Sequence, residues 1–286
     1  MTNNNESQNK DSSNVNTNIS VLPNIIGSTM PLLTQIYTDL ASPSIKKIGQ
    51  SLETVLDVAQ TTLLPIKFWS EKKKITFEKN LEKYKEKLEK INESNIIDVT
   101  PEIGVPIIEK LTYTSNEELS ELFTNLLAKT ASSENVHLGH PGFIKIIESL
   151  SVDEARIVQY ISTHYTNEKI ETIPYINIRL KHKNKDGGTN LLQYLTGIEK
   201  EIELVYPDNI QLYLENLVSL GILENQNGRI LTSNQRYENV ENKYQDLMKD
   251  IQESLKTDEL WDTFKIERGF YSITKYANSF IKACVK

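Results

Sequence analysis

Four times between Pro101 and Thr163, a helix-capping pattern stands just before apolar residues that step by three and four. Thr100-Pro101-Glu102 leads into Ile103, Ile107 and Leu111. Ser115-Asn116-Glu117-Glu118 leads into Leu119, Leu122, Phe123, Leu126 and Leu127. His140-Pro141 leads into Phe143, Ile144, Ile147 and Leu150, and Ser151-Val152-Asp153-Glu154 into Ala155, Ile157, Val158 and Ile161. Steps of three and four align side chains on one face of an α-helix. A polar side chain just before the run accepts from first-turn amides, and Ser-x-x-Glu does so reciprocally. Caps and periodicity agree, which predicts four helices over residues 101–163.

Upstream the pattern continues with different chemistry. Residues 1–20 are nearly all Asn, Ser, Thr, Gln and charged residues, too little apolar surface to offset the entropy of ordering, so a disordered tail is expected. After a short apolar segment at 31–41, Ser42-Pro43 reads as a helix start. Ile45, Ile48, Leu52, Val55, Leu56, Ala59 and Leu63 then share one face up to Pro65. A second helix is predicted over 66–91, where Phe77, Leu81, Tyr84, Leu88 and Ile91 form a heptad seam. Its remaining surface is Lys and Glu, with nine Lys against five Glu between Lys67 and Lys90. That excess reads either as a solvated face braced by pairs along the helix or as a basic stripe for an anionic partner.

Beyond residue 165 the texture changes. Thr172 to Lys181 alternates and is rich in Ile and Tyr, which predicts a strand. Residues 182–190 read as a loop, and Asp208 as the cap of a helix that Gly221 ends. Ile222 to Glu224 and Arg229 to Leu231 are expected to form a hairpin across Asn227-Gly228. A polar helix at about 236–256, a strand from Phe264 to Thr274 and a final helix from Lys275 to Val285 complete the reading. The order outlines a winged helix. The expected fold is mainly α: an N-terminal helical bundle with a long amphipathic helix, then a smaller α+β, winged-helix-like module. The corresponding units are a tail at 1–20, amphipathic helices at 21–99, a four-helix core at 100–165 and the C-terminal module at 166–286.

The net charge of −7 argues against general phosphate binding, and the helix at 208–220 carries Asp208 and Glu215 with no Lys or Arg. DNA binding is therefore not expected. A lone cysteine, Cys284, allows no intrachain disulfide, and its apolar neighbours mark it as a small buried hydrophobe. No secretory leader is visible, and no segment reaches the ~20 apolar residues that span a bilayer, so a cytoplasmic location is expected. Segment 45–69 is amphipathic, however, and ends in Phe68-Trp69 followed by Lys72-Lys73-Lys74, a combination suited to the inner face of an anionic membrane. None of the four His has helical metal-pair spacing, and no nucleophile elbow, phosphate loop or dinucleotide turn occurs. No catalytic residue, cofactor or metal is assigned, and no small-molecule substrate is evident. His140, Pro141 and Phe143 are read as a structural helix start.

The chain resembles the abortive-infection alpha family, a bacterial family associated with phage defence. The resemblance rests on Ile36 to Leu40 with Pro43, Gly49 to Leu52, Leu64-Pro65 and Trp69, Pro101-Glu102-Ile103 and Pro106-Ile107-Ile108. It is densest over Leu111 to Thr114, Glu117-Glu118-Leu119, Phe123 to Ala128, His140 to Ile144 and Leu150 to Ala155. It is sparser at Leu220-Gly221-Ile222, Ile273-Thr274, Phe280-Ile281 and Ala283-Cys284. Gly142 replaces the family's usual larger small residue, which is expected to loosen that helix start. The resemblance implies a role in abortive infection, the arrest or death of an infected cell, and carries over no catalytic residue. Two modes of action compete with an unrecognised enzyme such as a nuclease. One is a non-enzymatic component that binds a protein partner or itself. The other is an effector that uses 45–74 to disturb the inner membrane, with Phe68, Trp69, Lys72, Lys73 and Lys74 as the contact surface.

Overall fold

The computed structural model describes residues 71–165 and 171–286. The tail at 1–20, the apolar segment at 31–41 and the helix expected from Pro43 lie outside these residues, as do Phe68 and Trp69. Among the described residues are nine α-helices and four strands, so the chain is α+β.

Helix α1 (Glu71–Leu88) buries the expected seam: Phe77, Leu81, Tyr84 and Leu88 are at most 3% exposed. Asn80 lies on the same buried face and donates to Leu111 O and Thr114 O, which ties α1 to the end of α2 (Pro101–Leu111). Three α1 lysines reach another helix: Lys79 and Lys83 pair with Glu117, and Lys87 with Glu121, both glutamates on α3 (Glu117–Thr130), while Lys85 pairs with Glu82 within α1. Their four-residue repeat matches the spacing of the two glutamates, so the ladder links two helices.

The predicted caps are met in part: Thr100 precedes α2 without a side-chain cap bond. Asn116, not Ser115, caps α3 by accepting from Leu119 N. His140 caps α4 (Pro141–Ser149) through Nδ1, which accepts from Gly142 N. Ser151 and Glu154 form the complete capping box of α5 (Val152–His164). Gly142 leaves room for Tyr276, whose hydroxyl would lie 2.7 Å from a Cβ at that position.

The sheet holds β1 (Thr172–His182), β2 (Gly188–Leu195), β3 (Leu223–Asn225) and β4 (Trp261–Ile273), all antiparallel in the order β2-β1-β4-β3. Between β2 and β3 lies α6 (Ile210–Ser219), preceded by a 3-10 turn at Pro207–Asn209 that places Asp208 before the helix without capping it. Gly221 ends α6 at φ 72°, with Gly221 N donating to Val218 O and Ile222 N to Leu217 O, the pairing of a glycine-terminated helix.

Two expectations are corrected here. Gly188 to Leu195, in part assigned to a loop, is a strand on β1, and its Leu191-Leu192 pair interrupts the alternation that would reveal it. The hairpin across Asn227-Gly228 is absent. The turn forms, with Arg229 N bonded to Gln226 O, but Arg229 to Leu231 is not a strand and Ile230 is 67% exposed. The ladder of β3 is taken by β4 instead, from Leu223 opposite Ile273 to Asn225 opposite Tyr271.

The polar stretch expected as one helix breaks at Lys243–Tyr244 into α7 (Asn234–Asn242) and α8 (Gln245–Leu255). Its purpose is visible on β1, which is buried on both faces. Ile173 and Tyr175 join the helical core, while Ile176 and Ile178 pack with Tyr237, Val240 and Tyr244 of the inserted segment. Arg268 fastens α7 to β4 by an ion pair to Glu241 at 2.8 Å and lies 5.1 Å over the Tyr237 ring. The chain closes with α9 (Lys275–Phe280) and a π-helical turn, Ile281–Val285. Ala283 and Cys284 of that turn are fully buried, and Asn125 of α3 donates to Cys284 O at 2.9 Å. One apolar cluster therefore runs from Phe77 to Cys284.

Candidate functional site

The C-terminal turn, α3 and α5 leave a groove of about 1040 Å³ between them. Leu122, Ala155, Tyr160, Ile202 and Val285 supply its apolar part, and Glu117, Glu118, Glu121, Asn125, Arg156, Gln159 and Glu203 its polar part. The three α3 glutamates face the groove because Leu119, Leu122 and Phe123 take the inward side of the same turns.

Each of these glutamates is held by a cation. Glu117 pairs with Lys83 at 3.3 Å and Lys79 at 3.5 Å, and Glu121 with Lys87. Glu118 receives Arg156 Nε and one terminal nitrogen, each at 2.7 Å, while Nη1 donates to Glu203 O at 3.0 Å. The bond from Lys83 holds the Glu117 carboxyl below its usual range. Burial pushes Glu118 up, but its own amide, Arg156 and Asn116 outweigh that and leave it lowered. Glu117 and Glu118, lowered in this way, are poor proton donors near neutral pH, and the three ion-paired glutamates bracket helices together.

Behind the groove, Asp153 is 2% exposed and accepts from Val205 N at 2.7 Å, Tyr206 N at 2.9 Å and the Tyr213 hydroxyl at 2.8 Å. This one carboxylate fixes the segment that leads into α6 and with it the groove wall at Ile202 and Glu203.

The residues singled out from sequence lie elsewhere. His140 is exposed at the start of α4; Phe143 is buried, with ring centroids 5.5 Å from Phe280 and 5.3 Å from Tyr276. Pro141 occupies the first helical position. Lys72 and Lys73 are exposed on the first turn of α1, where Lys74 also falls. The structure brings neither set to the groove. Arg156, Asn125 and Glu203 were not distinguished by sequence, because nothing local marks an arginine that will meet residues 38 and 47 positions away. The matching four-residue spacings of Lys79, Lys83, Lys87 and of Glu117, Glu121 were the available signal.

The dense motif from Leu111 to Ala155 now has a structural account, as the walls and caps of one helical core. A family model described as abortive infection alpha matches residues 76–284. The chain belongs to that family. The match takes in α1 through the C-terminal turn, so in the abortive infection alpha family the sheet and the helices fall under one model. The residues at 36–69 on which part of the resemblance rests lie before the match and are not covered by it. No curated protein and no solved structure matches the chain. No described helix is long and apolar enough to cross a membrane. Among the described residues, no group of three or more His, Cys, Asp or Glu is placed to hold a metal ion.

Proposed function

We propose that this chain serves abortive infection as a non-enzymatic component that works by binding a protein partner. The observation that carries the reading is the groove between α3 and α5. It is open, mixed in polarity and framed by carboxylates already committed to cations, a surface built to be covered more than to move protons. Membership of the abortive infection alpha family supplies the biological setting.

A winged-helix-like reading of residues 151–286 belongs with this proposal. It is supported by the order α5, β1, α6, β3, β4, with β2 and the α7–α8 pair as additions. Helix α6, at the recognition position, shows Leu212 at 61% exposure and has no cation in its ten residues, which favours a protein over a phosphate backbone.

The test is a tagged chain expressed in bacteria challenged with phage. Gln159→Arg with Thr163→Arg fills the groove from exposed positions. It should abolish both protection and the co-purifying partner while leaving the melting temperature unchanged. Full protection by that variant would sink the reading, as would turnover of a nucleic acid by the purified chain.

A membrane-acting mode is the second reading. It is favoured by Ile75, 63% exposed beside exposed Lys72 and Lys73 at the start of α1. Co-sedimentation with anionic vesicles, lost on Lys72→Glu with Lys73→Glu, would support it.

A further inference from the structure

A second cavity, of about 380 Å³, adjoins the groove and shares Glu121, Asn125 and Val285 with it. Its chemistry is opposite. Lys87, Lys90, Lys129 and Lys286 line it, with Asn125 and Asn135, and Glu121 is the one carboxylate side chain in the lining. Glu121 is spent on Lys87. Among the described residues, the side chains of Lys90 and Lys129 have no carboxylate partner.

We propose that this cavity receives the phosphate group of a small molecule whose body lies in the adjoining groove. Three observations bear on the assignment. First, lysines at helix C-termini are ordinarily explained by the helix dipole, and Lys87 on α1 and Lys129 on α3 each fit that account singly. The dipole does not explain why two helix ends and Lys90 beyond the first meet at one hollow. Second, Lys87, Lys90 and Lys129 line this hollow against one carboxylate side chain, Glu121, in a protein whose net charge is −7. Compact ammonium groups of this kind suit phosphate oxygens as point charges. Third, the volume falls within the roughly 300–1,000 Å³ of small-ligand clefts, and the groove beside it offers Leu122, Ile202 and the Tyr160 ring to an apolar or heterocyclic body. The groove carboxylates of Glu117, Glu118 and Glu121 are each paired with a cation, whereas Lys90 and Lys129 have no carboxylate partner among the described residues, which places the phosphate toward Lys90 and Lys129.

The site does not depend on the protein-binding reading above, and its test measures ligand binding directly. The full chain is titrated by calorimetry with ATP, pyrophosphate and adenosine at physiological ionic strength, where diffuse attraction is screened beyond about 8 Å. ATP is expected to bind saturably, more tightly than pyrophosphate, and adenosine not at all. Lys90→Gln with Lys129→Gln should weaken ATP at least about tenfold with an unchanged circular dichroism spectrum. Lys72→Gln with Lys73→Gln, which removes the same charge from the other end of α1, should leave binding intact. Equal loss in both double variants would reduce the site to general polyanion attraction and overturn the proposal. So would ATP binding no tighter than pyrophosphate, or no saturable binding of either phosphate compound.

Discussion

Asp153 shows how much one side chain can organise in this protein. Burial pushes its carboxyl up, but the Val205 and Tyr206 amides, the Tyr213 hydroxyl and nearby Arg156 together outweigh burial and hold it below the usual range. A carboxyl lowered in the folded state contributes stability above the unfolded value, about 4, and loses it as pH falls through the folded value. Asp153→Asn cannot accept both amides and the hydroxyl in the same way. It should cost about 2–4 kcal/mol at neutral pH and flatten the loss of stability below about pH 4. Urea denaturation of both proteins between pH 3 and 7 checks this, and parallel pH curves would refute the anchoring role. His140 acts at shorter range. Replacing it with Ala should cost about 1 kcal/mol through the lost cap on Gly142 N, while His140→Asn retains most of the stability. That cap was legible in the sequence because capping depends on a few adjacent residues. The partners of Asp153 were not, since they lie 52 to 60 positions away.

Among the elements, β1 and β4 define the centre of the sheet, and Gly269 of β4 leaves room there for a side chain of β1. Tyr175 stands opposite it in register, and a Cβ at Gly269 would lie 2.4 Å from the Tyr175 ring. The same phenol donates to Asn225 Oδ1 of β3 at 2.8 Å, so the ring bridges three strands. Gly269→Ala should therefore destabilise the protein by about 1–3 kcal/mol, read as a drop in the urea midpoint. Smaller loss in a Tyr175→Leu background would confirm the clash as the cause. Strand β1 could be read from its alternation, whereas β2 and the true partner of β3 could not. Strand pairing depends on which backbone lies alongside, and neither residue type nor period encodes it, least of all across the 46 to 50 positions between β3 residues and their β4 partners. The α7–α8 insertion reads as a polar helix for the same reason: Tyr237, Val240 and Tyr244 are few among polar residues, and only the sheet face they cover reveals their burial.

At the scale of the molecule, the C-terminal turn closes the helical core. Phe280, Ile281, Ala283 and Cys284 are at most 1% exposed, and α3 holds the turn through Asn125. Burial pushes the Cys284 thiol well above its ordinary value, so the reactive thiolate is suppressed twice, by charge and by access. Labelling of Cys284 by a thiol reagent should proceed at the rate of global unfolding and accelerate in urea along with loss of circular dichroism. Fast labelling in the native state would show the turn to be detached. Removing residues 281–286 should unfold the helical core as well as the sheet, because both contribute to the same apolar cluster.

By itself, the sequence determined the helices from Pro101 to His164, the His140 and Ser151 caps, the buried seam of α1 and the first and last strands. These follow from short-range rules: 3.6-residue periodicity, side chains that reach amides two or three positions on, and β-branched alternation. Only the tertiary structure decided that helices and sheet share one core, that the α1 lysines answer α3 glutamates, and that a mixed groove and a lysine-lined cavity meet beside Val285. Each of those facts is a coincidence in space of residues distant in the chain. Hydrophobic burial is non-directional and selects such neighbours only when the whole chain packs.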